Sequence, residues 1–146
     1  MRSYQLYLIE EEFASHYFGR ERMFYQLFLE RSQAKGEFKS ILSRQVDFIT
    51  KPIPVLRIHQ LLHQRLAKAR GFKLENGVYF YENKSTSSSA SLEVFDRWLK
   101  LDSNGPIDTE TVFFEILRKC EKSFLAIDLE SMKYGWLKPI KERKYI

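Results

Sequence analysis

One short stretch near the amino end limits the choice of folds more than any other. From Ser3 to Ile9, Tyr4, Leu6 and Leu8 alternate with Gln5, Tyr7 and Ile9, the period-two pattern of a β-strand. Tyr4, Leu6 and Leu8 fall on one face, Tyr7 and Ile9 on the other. Apolar groups on both faces suit a strand inside a sheet rather than at its edge. Three carboxylates, Glu10 to Glu12, then cut the run off and lead into an aromatic cluster closed by Gly19 and Arg20. Read as a helix of about two turns, Glu10 to Arg20 stacks Phe13 with Tyr17 at i,i+4, and Ala14 with Phe18 on the neighbouring face. Two such stripes are more than one core contact needs. The spacing therefore sends one stripe inward and turns Phe13, Tyr17 and Arg20 toward a partner, Tyr and Arg being frequent interface anchors. Burial of the whole aromatic cluster in the core is the competing reading.

The rest of the chain alternates helical and extended signals. Glu21 to Arg31 continues as helix, with Phe24, Leu27, Phe28 and Arg31 at helical spacing and Gly36 as its stop. Phe38 to Ile49 is a second helix with two rows. Phe38, Leu42, Val46 and Ile49 form an unbroken apolar row that should face the core. Ile41, Gln45 and Phe48 form a row with a polar centre; a buried amide there would need partners, so Gln45 and Phe48 point outward. Lys51-Pro52-Ile53-Pro54 ends the helix. Val55 to Ala69 is a third, with Leu56, His59, Leu62 and Leu66 on its apolar side and Gly71 as stop. Phe72 to Glu75 and Val78 to Tyr81 flank Asn76-Gly77, a hairpin with a type I′ turn.

Ser85 to Ser91 reads as a flexible polar loop, followed by strands Ser91 to Phe95 and Trp98 to Leu101 about Asp96-Arg97. Asp108 caps a helix to about Cys120, with Ile107 and Val112 placed as a hydrophobic staple. Ser123 to Leu129 and Tyr134 to Leu137 are the last strands, before Pro139 and a basic tail from Lys141 to Lys144. This order predicts a single α+β domain over residues 1–146, a largely antiparallel or mixed sheet packed with three to four helices.

Composition narrows the chemistry. With 12 Phe, 8 Tyr and 2 Trp the chain can build a core without metals or disulfides. The lone Cys120 rules out an intrachain bridge and favours a reducing cytoplasm, the expected location. The first residues do not read as a secretory signal, and no apolar run approaches a membrane span. The net charge of +5 permits nucleic-acid contact without requiring it. No nucleophile elbow, phosphate loop, paired-histidine zinc motif or Cys-x-x-Cys is present. His59 and His63 sit at i,i+4, but a metal would need a third ligand from His16 or a distant carboxylate; a half-buried, hydrogen-bonded His59 fits the apolar row better. Glu10, Glu11, Glu12 and Asp128 could act as acid and base only if paired across the fold with shifted pKa values. A helix dipole and a turn account for them otherwise. No catalytic residue, metal or cofactor is assigned.

The blocks Tyr7 to Phe13, His16 to Glu21, Ile49 to Leu56 with His59-Gln60, Phe113 to Leu117, Phe124 to Asp128 and Tyr134 to Arg143 closely resemble the sporulation inhibitor of replication (SirA) family of endospore-forming bacteria. They follow the family's order and similar spacing across the chain, while Arg31 to Ser43 and Lys68 to Gly105 match poorly. The resemblance implies a binding protein with no chemistry. It implies a regulator that restrains chromosome replication by binding the N-terminal domain of the initiator DnaA and covering a surface needed for assembly at the origin. It places Phe13, Tyr17, Gln45 and Phe48 at interface positions, to which Arg20 is added as a charged rim. Two other readings stay open: a nucleic-acid-binding regulator, and an enzyme using His16 or Asp128.

Overall fold

The strand Arg2–Ile9, β1, sits at the middle of one eight-stranded sheet. A computed structural model describes residues 1–106 and 109–138 of the chain. After β1 come three helices, α1 (Glu11–His16), α2 (Arg22–Gln33) and α3 (Gly36–Ile49). A two-residue strand, β2 (Thr50–Lys51), leads to α4 (Val55–Lys68). Four strands follow as a meander: β3 (Phe72–Glu75), β4 (Val78–Asn83), β5 (Ser88–Val94) and β6 (Leu99–Asn104). Helix α5 (Thr111–Cys120) and the pair β7 (Phe124–Asp128) and β8 (Lys133–Trp136) complete the order. The sheet runs β3-β4-β5-β6-β1-β7-β8, with β2 pairing on β1, and every ladder is antiparallel. This is the α+β class the pattern predicts, with five helices rather than three or four among the described residues.

The alternation in β1 divides the core in two. Leu6 and Leu8, with Tyr4 partly covered, join the cluster beneath α4 and α5, which contains Ile58, Leu62, Phe113, Ile116 and Leu117. Tyr7 and Ile9 join the opposite cluster beneath α1, α2 and α3, with Ala14, Phe24, Tyr25, Phe28 and Val46. A strand buried on both faces requires cover on both, and the helices divide three to one side and two to the other.

Several local expectations change. Ser85 to Ser91 is not a flexible loop throughout: from Ser88 it is β5, paired to β4 on one side and β6 on the other. Ser88, Ala90 and Leu92 alternate inward and are buried, so two ladders outweigh the weak strand preference of serine. Phe38 is 57% exposed at the first turn of α3, so only Leu42, Val46 and partly Ile49 of its row reach the core. Leu56 is 74% exposed; α4 turns inward instead through Ile58 and Leu62. Gly36 does not close α2 but opens α3 at a φ of +65°, after an extended link at Ala34 and Lys35. Ile107 and Asp108, named for the staple and cap of α5, and the tail Lys141 to Lys144 lie outside the described residues.

Candidate protein-binding groove

The groove begins with backbone pairing. Leu8 and Ile9 of β1 pair with Lys51 and Thr50 of β2, so the end of α3 is drawn to the end of β1. One residue on, the Glu10 N–H donates to the Ile49 carbonyl at 2.8 Å. The start of α1 is thereby fixed against the last turn of α3. Arg97 reinforces that end: its guanidinium donates to the Asp47 and Thr50 carbonyls at 3.0 and 3.2 Å, a cation at a helix C-terminus where the dipole favours it.

Chain reversal between α1 and α2 sets the other wall. The helix predicted over Glu10 to Arg20 is shorter: α1 stops at His16, Tyr17 is its cap, and Gly19 turns the chain at a φ of +81°. The Glu21 carboxylate accepts the Gly19 N–H at 3.1 Å and the Trp136 indole N–H at 3.3 Å, tying this turn to β8. Phe18, assigned inward with Ala14, is swung out by the turn and is exposed, whereas Ala14 is buried.

Between α1, α2 and α3 these constraints leave an apolar cavity of about 530 Å³. Phe13 and Tyr17 enter it from α1 and its cap, and Gln45 and Phe48 from the outward row of α3. Thus four of the five residues singled out in the sequence meet at one place, although roughly thirty positions separate the two pairs. Phe13 meets Phe48 edge to face at 5.3 Å between ring centroids, and Tyr17 meets Phe24 at 5.6 Å. Arg20 stands outside the cavity lining. Its guanidinium lies 5.2 Å from the Tyr17 ring centre and donates to the His16 carbonyl at 3.2 Å.

Exposure differs among the four. Phe48 is 72% exposed and Gln45 is exposed, as their row predicts. Phe13 and Tyr17 are only half outward, each with one side packed on the aromatic cluster. The two pairs therefore answer differently to truncation. Sequence spacing missed the floor and far wall, made by Met23, Phe24, Leu27, Ile49 and Arg44. Met23 and Leu27 are i,i+4 on α2, a spacing available in the sequence, but the row read there took in Leu27 and passed over Met23.

The groove offers contact rather than reaction. Among the described residues, Arg44 is the one charged residue lining the groove, and the Arg20 guanidinium stands nearby over Tyr17. The titratable groups with marked shifts lie elsewhere. Glu110 is 1% exposed; burial alone would raise its pKa, but Arg2 and Tyr4 hold it below the usual carboxylate value. Arg2 donates to both of its oxygens at 2.6 and 2.8 Å, and the Tyr4 hydroxyl donates at 2.6 Å. Burial and that carboxylate push the Tyr4 phenol up to about 12. Every Glu110 oxygen is committed to these partners. The Cys120 thiol is buried and its pKa is raised by burial. His59 is half-buried with Nδ1 2.6 Å from the Tyr79 hydroxyl. His16 is exposed beside Tyr17, Asp128 accepts the Ser131 N–H in a turn, and no group of three potential metal ligands forms among the described residues. No helix among them is long and apolar enough to cross a membrane.

Comparison with known proteins gives a consistent result. The family model described as sporulation inhibitor of replication protein SirA matches residues 2–141. A Bacillus subtilis (strain 168) protein bearing that description is 38% identical over 148 aligned residues, covering 99% of each chain.

Proposed function

The chain belongs to the SirA family of sporulation inhibitors of replication, and from that premise we propose that it restrains replication by binding the N-terminal domain of the initiator DnaA in the α1–α2–α3 groove. The bound inhibitor covers a surface that the initiator uses to assemble at the origin. Phe13, Tyr17, Gln45 and Phe48 are the contacts, with Arg20 at the rim. The observation that carries this reading is their convergence on one apolar groove from helices far apart in sequence. Aromatic anchors around an apolar depression, with charge kept to the edge, are the arrangement of a protein interface. The cationic rim of Arg20 and Arg44 favours a partner with acidic groups about an apolar centre.

The test is calorimetric titration with the purified initiator domain. Truncation of an anchor costs about 2 kcal/mol or more, so Phe48→Ala is expected to weaken binding at least about 30-fold. Its thermal transition should stay in place, because the ring is mostly exposed. Unchanged affinity in a folded Phe48→Ala protein would sink the proposal.

A further inference from the structure

The positive charge of the molecule is not evenly spread. Between Asp47 and Glu75 the chain has no acidic residue but six cations: Lys51, Arg57, Arg65, Lys68, Arg70 and Lys73. Elsewhere the 19 acids slightly outnumber the remaining Lys and Arg, so the net +5 originates in this one segment. Most of it is α4, which covers the face of the sheet opposite the groove. Ile58 and Leu62 anchor α4 inward. Outward, Arg57, Gln60, Gln64 and Lys68 recur at intervals of three and four residues and are all exposed, forming one stripe along the helix. Beside the stripe, Arg65, Lys68 and Lys119 of α5 border a shallow cavity of about 190 Å³. Its one acid, Glu115, is engaged by Arg118 at 3.3 Å. Among the described residues, Arg57, Arg65, Lys68 and Lys119 form no ion pair.

We propose that the α4–α5 face binds duplex DNA through its phosphate backbone. Arg57, Arg65, Lys68 and Lys119 contact phosphates, and Gln60 and Gln64 supply hydrogen bonds between them. A helix of 14 residues is about 21 Å long, enough to meet several successive phosphates. Leu56, in the first turn, is the one large hydrophobic of α4 that is exposed, and a single side chain at one end of the stripe does not make the centre of a protein interface. The stripe also lacks the apolar face with which an amphipathic helix enters a lipid surface, since Ile58 and Leu62 are used by the core. A rigid helix with a cation at each end of the stripe and two amides between them matches a regular polyanion. Because the groove lies across the sheet, a protein partner and DNA can be held together.

The experiment is fluorescence anisotropy of a short mixed-sequence DNA duplex titrated with the full chain at increasing salt. Four phosphate contacts give a log–log salt slope of about −3.6, so affinity should fall more than about 100-fold between about 50 and 200 mM salt. The double charge reversal Arg65→Glu with Lys68→Glu should abolish binding in a protein that still unfolds cooperatively, its thermal transition lowered slightly by the carboxylates at the C-terminal turn of α4. An equal reversal elsewhere, Lys39→Glu with Lys133→Glu, should retain most of the binding. Phe48→Ala should bind the duplex like the unaltered protein, which separates failure here from failure of the groove. No duplex binding at low salt, equal loss in both reversals, or binding confined to anionic phospholipid vesicles or polyglutamate would each overturn the proposal.

Discussion

The two helical layers cover the same sheet with different materials and reach different degrees of closure. Beneath α4 and α5 the contacts are largely aliphatic: Ile58, Leu62, Ile116 and Leu117 interleave with Leu6, Leu8, Leu92, Leu99 and Leu101, with Phe113 fully enclosed. Beneath α1, α2 and α3 rings take a larger share: Tyr7, Phe24, Tyr25 and Phe28 pack among Ile9, Val46, Leu125 and Ile127, with Phe13, Tyr17, Trp98 and Trp136 only partly covered. Branched aliphatic chains fill the space between helix and sheet. At the border of the other layer Phe24 meets Tyr17 and Trp136 edge to face, and the groove opens beside them. The closed layer presents mainly charge, with Leu56 as the exposed large hydrophobic of α4; the unfinished layer retains an apolar opening.

The contrast can be broken by core truncation, where the largest effects are expected. Phe113→Ala should cost about 4 kcal/mol, because nothing around the vacated ring can reach solvent or collapse easily. Phe24→Ala, whose ring borders the groove, should cost about 2–3 kcal/mol, since water or Tyr17 can enter the space. Paired denaturant titrations decide it, and equal costs would mean that the two layers are closed alike.

Next in size is the tether of the closed layer. Glu110 precedes α5 and is held by Arg2 and Tyr4 of β1, so Glu110→Gln should cost about 2 kcal/mol. The pH dependence has a definite sign. A carboxyl held below its ordinary pKa of about 4.3 adds stability above that pH and loses it as acid protonates the folded state. The Gln variant should therefore show a shallower decline in acid than the unaltered protein. Tyr4 behaves oppositely at the alkaline end: its contribution is complete below about 10 and fades as pH rises toward about 12. Stability measured across both limits would show an unchanged acid limb if Glu110 were not a tether.

The smallest effects sharpen the picture of the open layer. Tyr17→Ala should lose about 1 kcal/mol, the packing of its ring on Phe24. Phe48→Ala should stay within about 0.5 kcal/mol, as a surface substitution does. If Phe48→Ala were the more damaging of the two, the ring would be part of the core and the groove would be closed in solution.

Much of this organisation was legible in the residues. Apolar groups on both faces of β1 called for an interior strand. The polar Gln45 in one row of α3 identified the outward face. Asn76 and Gly77, both at positive φ, made the hairpin turn their sequence demands. The misses share a cause: periodicity identifies a face but not what lies beyond it. Phe38 stands exposed in the first turn of α3, and Leu56 points away from the side on which Val55, Ile58 and Leu62 meet the core. The serines of β5 looked like a loop because only pairing on both sides reveals them as a strand. Long-range chemistry was invisible for the same reason: nothing local links Arg2 to Glu110, 108 residues away.

The central place of the first strand also has a consequence for biosynthesis. β1 is made before the other strands of its sheet, yet the Ser123 hydroxyl that donates to the Ile9 carbonyl follows 114 residues later. Its neighbours β6 and β7 are likewise products of the second half of the chain. Such distant pairing is slow to form and leaves β1 without β6 and β7 until the residues that form them have been made. The aromatic layer packs on Tyr7 and Ile9 of β1 and on Leu125 and Ile127 of β7, so its core is completed only after β7 has been made.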